Sequence, residues 1–180
     1  MINKIIWGLD VLQEKFAKIN KIDTDKLLTE NRLDLKLRVE FLKDILETKK
    51  LIKQTMYYQF VSDNKRKELP PHEPEKMCKD FLSLFEDIRK NGISKPLNVA
   101  KLDSTTVKIS YFYDGKRIWD SIPNKSGYQL MNGAHRLAIA KYLNFETVPA
   151  KIFTPMSYPF QNHTNYLKLR EKDYLKKMEN

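Results

Sequence analysis

The sequence predicts an α+β fold, and three observations predict it. Apolar residues recur at helical spacing through the first third of the chain. Four of the five glycines fall between positions 92 and 133, where turns concentrate. Inside that window, Val107–Tyr113 alternates in the manner of a strand and is followed by the hairpin signal Asp114-Gly115. Helices come first, and a helix–strand–hairpin–strand–helix–strand series comes after them, which makes a small mixed sheet covered by helices.

Taken in order, Ile5, Ile6, Leu9, Leu12, Phe16 and Ile19 form one face of a helix over residues 1–20. Asp23 or Thr24 caps a short second helix, Asp25–Thr29. A third runs from Leu33 to Met56, with Leu35, Val39, Leu42, Ile45 and Leu46 on one side. Pro70, Pro71 and Pro74 make residues 62–74 a loop. The next helix spans Glu75–Asn91, with Phe81, Leu82, Leu84, Phe85 and Ile88 as its apolar stripe and Gly92 as its C-terminal cap. Extended segments lie at Leu97–Leu102, Val107–Tyr113, Lys116–Ser121 and Tyr128–Met131. Then come a helix at His135–Leu143, a strand at Val148–Phe153 and a basic amphipathic helix at Asn165–Met178. The chain divides into an N-terminal helical region (1–68), a core (69–153) and a helical tail (154–180).

Composition excludes several classes of protein. No apolar run is long enough to span a bilayer, and the N-terminus MINKIIWGLD lacks the apolar stretch and cleavage site of a secretory signal. Cytoplasmic localisation is therefore expected. The single cysteine, Cys78, has no internal disulfide partner, and no Cys/His spacing suits a zinc site. The net charge of +10 invites nucleic acid. The excess is spread as +4, +4 and +2 over 1–68, 69–152 and 153–180, with no basic arm or stripe, and this disfavours a nucleic-acid partner. Nothing in the sequence sets an oligomeric state.

Chemistry concentrates at Asn132-Gly133-Ala134-His135-Arg136, where a strand gives way directly to a helix. The first amides of a helix lack intrahelical acceptors and carry the positive end of its dipole. Gly133 permits close backbone approach, and His135 and Arg136 add donors. Together these form a cradle suited to phosphate. The chain has no G-x-x-x-x-G-K-[ST] loop, so the cradle is not of Walker type.

The order of Phe81–Asn91, Gly92-Ile93-Ser94-Lys95-Pro96, the strand from Leu97, Asn132-Gly-Ala-His-Arg136, a helix and Val148-Pro-Ala-Lys-Ile152 resembles the ParB/sulfiredoxin superfamily. That family runs a helix into a G-I-x-x-P loop and strand, a hairpin, a D-G-x-H-R or G-E-R-R turn, a helix and a V-P-V-x-I strand. The resemblance covers roughly residues 75–153. It implies a nucleotide-binding core in which Gly92, Ile93 and Pro96 lie along the nucleotide. Asn132, Gly133, Ala134, His135 and Arg136 hold its phosphates.

The departures from the family pattern narrow the reading. Ala134 stands where sulfiredoxins place their cysteine, which excludes that thiol chemistry. The 27 residues after Phe153 leave no room for the helix-turn-helix of partition proteins. The free-serine-kinase branch, with D-G-x-H-R, fits best, although Asn132 replaces its Asp. Asn can donate to phosphate or ribose but cannot act as a base. Arg32-Leu-Asp-Leu-Lys-Leu-Arg38 also resembles an R-x-D-L-x-x-K segment of proteins from surface-polysaccharide gene clusters. An ordinary Asp34–Arg38 helix pair explains the same residues.

These resemblances imply a kinase that uses ATP or ADP with Mg2+ and phosphorylates a hydroxyl of an amino acid, sugar or sugar derivative, within surface-glycan biosynthesis. The catalytic candidates are His135 and a carboxylate base among Glu73, Glu75 and Asp80. Arg32, Asp34 and Tyr57 are candidates for the acceptor pocket, while Tyr57, Tyr58 and Phe60 also suit plain packing between the two halves. Glu75 equally suits a helix N-terminus. His72 and His163 are expected in solvent, and Trp119 in the core. The alternative is a nucleotide- or DNA-binding regulatory protein of the same fold without transferase activity.

Overall fold

A computed structural model of the chain describes residues 13, 15–28, 33–63, 73–101, 106–113, 116–123 and 127–154. The expected tail helix, most of the expected first helix, Arg32, His72 and His163 lie outside the described residues. So does the side chain of Trp119. Among the described residues, no helix is long and apolar enough to cross a membrane.

The architecture is α+β. Strands β1 (Ile19–Asp23), β3 (Leu97–Lys101), β6 (Tyr128–Asn132) and β7 (Thr147–Phe153) form a mixed sheet in the order β1-β7-β3-β6. The two-residue β2 (Leu27–Leu28) extends it beyond β6. β3 runs parallel to β7 and antiparallel to β6. A separate hairpin pairs β4 (Thr106–Tyr113) with β5 (Lys116–Pro123), with Tyr113 opposite Lys116. Among the described residues, four helices are bounded at both ends: α1 (Leu33–Leu46), α2 (Met56–Asp63), α3 (Pro74–Asn91) and α4 (Ala134–Tyr142).

From Pro74 to Phe153 the elements match the sequence pattern within a residue or two. Pro74 sits at the start of α3, where its missing N–H costs nothing, and Gly92 ends the helix at φ +74. α4 ends with Asn144 at φ +56. The Phe145 N–H donates to the Ala140 carbonyl at 2.8 Å and the Asn144 N–H to the Lys141 carbonyl at 3.2 Å, a left-handed cap that satisfies the last carbonyls.

The N-terminal third departs from expectation. Ile19–Asp23 is a strand rather than the end of a helix, and it pairs antiparallel with β7. Thr24–Lys26 is a single 3-10 turn, and Leu27–Leu28 pairs parallel with β6. Residues before position 68 thus supply both edges of the sheet. The long helix expected over Leu33–Met56 stops at Leu46; a 3-10 turn at Ile52–Gln54 follows, and a second helix begins only at Met56. Lys49 turns the chain at φ +57, and the Lys50 N–H donates to the Asp44 carbonyl at 2.9 Å. Thr55 then starts α2 afresh, its hydroxyl accepting the Tyr58 N–H at 3.2 Å.

The core lies between the sheet and the helices. Leu37, Phe41 and Leu42 of α1, Tyr57 and Phe60 of α2, and Phe81, Phe85 and Ile88 of α3 meet Leu97 and Val99 of β3. Leu130 of β6, Leu137 through Ala140 of α4, and Val148 and Ala150 of β7 complete it. α1 packs on α4 and α2, and α3 packs on α4. The N-terminal helices therefore reach the start of α4 from behind.

Candidate functional site

Strand β6 delivers the chain to α4 through a bulge. Asn98 of β3 pairs with Asn132 but Val99 pairs with Leu130, so Met131 is an extra residue on β6. Such a bulge bends the strand locally and re-aims the residues just after it. Gly133 then takes φ +105, ψ +25, a left-handed conformation, and caps α4 without a side chain. Its carbonyl accepts the first helical bond, from Leu137 N–H at 2.9 Å. The amides of Ala134, His135 and Arg136 have no acceptor among the described residues, and no acidic residue occupies the first turn.

Gly133 is required by packing as much as by backbone angle. A Cβ there would lie 2.5 Å from Leu97 Cδ2, 3.1 Å from Arg136 Nη2 and 3.3 Å from Arg136 Cζ. The space a side chain would fill is therefore held by Leu97 and the Arg136 guanidinium. Arg136 Nη1 donates to the carbonyls of Lys95, at 2.6 Å, and Pro96, at 2.5 Å. Arg136 thus fastens the Ile93–Pro96 loop to the start of α4. Its partial burial lowers its pKa, and among the described residues only its Nη1 makes a hydrogen bond.

His135 points the other way, into the aromatic core. Its Nε2 lies 2.9 Å from the Tyr57 hydroxyl and its ring centroid 4.9 Å from that of Phe81. Burial, reinforced by the Arg38 guanidinium, pushes its pKa down to about 3. The imidazole is therefore neutral across the physiological range. Tyr57 itself is buried, and burial raises its pKa. The Arg38 guanidinium lies 5.4 Å from the Tyr57 ring centroid, and Arg38 Nη1 donates to Asp34 Oδ2 at 2.9 Å. That ion pair is nearly sealed, with side chains 13% and 7% exposed. Asp34, Arg38, Tyr57 and His135, drawn from α1, α2 and α4, form one buried polar chain backed by Phe41 and Phe81.

Two residues expected in an acceptor pocket, Asp34 and Tyr57, thus converge with His135, but as a packed interior array. The carboxylate candidates sit elsewhere. Glu75 is tied to Lys79 at 2.9 Å and Lys53 at 3.3 Å, and these lysines hold its pKa below the usual carboxylate range. Asp80 pairs with Lys76 at 2.8 Å in solvent. Glu73 is exposed at the residue before α3 and caps nothing with its side chain. Gly92 closes the far end of α3, about 25 Å along the helix from Glu75 at 1.5 Å per residue. Gly92 and Glu75 therefore cannot both touch one phosphate group. Pro96 comes to the site through its own carbonyl, which Arg136 holds together with that of Lys95, and no bond from Arg136 reaches Ile93 among the described residues. Cys78 is buried in α3, and burial raises its thiol pKa to about 11, which leaves it unreactive.

Arg38, which the sequence presents only as an i,i+4 partner, is central here, and Phe81 supplies the ring under His135. The described residues hold no group of three or more His, Cys, Asp and Glu side chains placed to share a metal. Comparison with known proteins finds no matching family model, no matching curated protein and no matching solved structure.

Proposed function

We propose that the chain is a nucleotide-dependent phosphotransferase with a core of ParB/sulfiredoxin type. In this reading the nucleotide phosphates lie on the amides of Ala134, His135 and Arg136. The terminal phosphoryl group of ATP or ADP passes to a hydroxyl of a small amino acid, sugar or sugar derivative. The observation that carries the reading is the left-handed Gly133 cap. It leaves three helix-terminal amides without acceptors among the described residues and without an acidic neighbour in the first turn. Phosphoryl transfer depends chiefly on positioning and charge stabilisation. Arg136 suits that role, since among the described residues it is fixed by two carbonyls through Nη1 alone. Glu73 is the carboxylate best suited as base, because Glu75 and Asp80 are engaged by lysines.

The test is incubation with labelled ATP or ADP, Mg2+ and a panel of amino acids and sugars. The reading expects label on one acceptor class, lost in Arg136→Ala and reduced in Glu73→Gln. A second reading, a nucleotide-binding regulator without transfer, draws support from those same lysine-paired carboxylates and from the neutral, inward His135. It expects nucleotide binding with no transfer to any acceptor. Tight sequence-specific DNA binding at physiological salt, without transfer, would contradict the enzyme reading.

A further inference from the structure

The buried chain Asp34–Arg38–Tyr57–His135 is an odd thing to find between helices. Apolar residues of similar volume ordinarily serve such a place as well as an ion pair or better. This pair is not even fully satisfied, because Arg38 Nε is buried without a hydrogen-bond partner. What the polar chain supplies that leucine or methionine would not is direction. A bidentate-capable guanidinium, a phenol and an imidazole fit together in few arrangements. Here the arrangement ends on the second residue of α4, one of the three whose amides lack an acceptor among the described residues.

We infer that Asp34, Arg38 and Tyr57 are positioning residues: through the Tyr57–His135 contact they hold the first turn of α4 in the orientation in which its amides receive phosphate. This rests on the phosphate site proposed above. It gives the N-terminal helices a part in that site that does not require them to touch the ligand. His135 then serves as the joint between the two, with its Nε2 occupied by the Tyr57 hydroxyl at 2.9 Å and its ring seated on Phe81. Asp34 acts through Arg38, which it meets at 2.9 Å, and Arg38 acts through the Tyr57 ring beneath its guanidinium. Arg136 fixes the same turn from the opposite side through the Lys95 and Pro96 carbonyls, so the turn is clamped twice by unrelated contacts.

The experiment compares stability with phosphate affinity in the full chain, using inorganic pyrophosphate and ATP as probes. The double variant Asp34→Leu/Arg38→Met replaces the ion pair by apolar bulk. Expected is a melting temperature equal to or above that of the parent, with probe affinity weakened about tenfold. Tyr57→Phe, which deletes one hydroxyl and keeps the ring, is expected to weaken the probes about fivefold and to keep the fold. It serves where the double variant does not fold. Unchanged affinity in Tyr57→Phe, beside a parent that binds the probes, overturns the positioning role and leaves the phosphate site standing. A parent that binds neither probe overturns the site and the positioning role together.

Discussion

Helices α3 and α4 begin in opposite electrostatic situations. α3 opens with Pro74 at its first position and Glu75 in its first turn, so one orphan amide is removed and the positive end of the dipole meets a carboxylate of its own chain. α4 opens on a glycine, has no acid in its first turn and carries Arg136 there instead. Among the described residues, α3 keeps two amides without an acceptor, those of Glu75 and Lys76, in a turn that carries its own carboxylate, while α4 keeps three in a turn that has no acid. The side chains divide in the same way. At α3 the carboxylates face solvent and meet lysines, whereas at α4 His135 and Arg136 turn away to hold the neighbouring elements. The lesson is that the backbone of α4 is the candidate anion receptor, and that its two named side chains chiefly keep that backbone in place.

The sharpest way to break this contrast is at Gly133. Gly133→Ala would force a Cβ to 2.5 Å from Leu97 at a backbone angle of φ +105. It should cost about 2–4 kcal/mol in denaturant unfolding. A loss near zero would mean that Leu97 and Arg136 do not need the missing side chain. Next in size, Arg136→Ala frees the carbonyls of Lys95 and Pro96. Calorimetry should show nucleotide binding weaker by about 1.5–3 kcal/mol, the usual worth of hydrogen bonds to a charged group. Equal affinity would remove Arg136 from the site.

His135 supplies a pH test of intermediate size. The unfolded chain takes up its proton near pH 6.5, while the folded protein resists until about 3. Between these values the unfolded state binds more protons, so stability present above pH 6.5 is lost as the pH falls. The slope contributed by this residue is at most about 1.4 kcal/mol per pH unit. Comparing urea unfolding of the parent and His135→Gln at pH 7 and pH 5 isolates it. The variant should lose less stability on acidification, and parallel losses would place His135 in water.

At α3 the expected effect is the smallest. Glu75→Gln breaks two solvent-exposed ion pairs, so the unfolding midpoint and nucleotide affinity should stay within error of the parent. A clear fall in affinity would move the anion site toward α3. Cys78 should resist alkylation in the folded chain, since it is buried and its thiol pKa is about 11.

The same contrast explains how far the sequence could be read. The second half of the fold is marked by local signals: Gly92 ends α3, alternation marks the strands, and Asn132-Gly133 marks the passage from β6 to α4, while Pro74, read as the end of a loop, is the first residue of α3. β1 escaped because it is an edge strand in which Ile22 alone is buried, so no alternation marks it. Ile19 also continues the apparent helical spacing of the residues before it. β2, at two residues, is too short for any pattern. The break after Leu46 involves neither Gly nor Pro, only Lys49 in a left-handed turn and Thr55 as a cap. At the site, the sequence displays Gly133, His135 and Arg136 but not what they touch. His135 meets Tyr57 across 78 positions, and the acceptors of Arg136 are main-chain carbonyls, which any residue type would present. Donor-rich side chains thus looked like ligands for phosphate, whereas folding uses the His135 ring and one nitrogen of Arg136 on the protein itself.

The measurement that bears most directly on the account is a titration of the isotopically labelled protein with ATP, monitored through its backbone amide resonances. The account predicts that the Ala134, His135 and Arg136 amides shift together and saturate with one affinity, while those of Glu75 and Lys76 at the start of α3 stay still. Shifts centred on the start of α3, or small unsaturated shifts spread over the lysine-bearing surface, would contradict it.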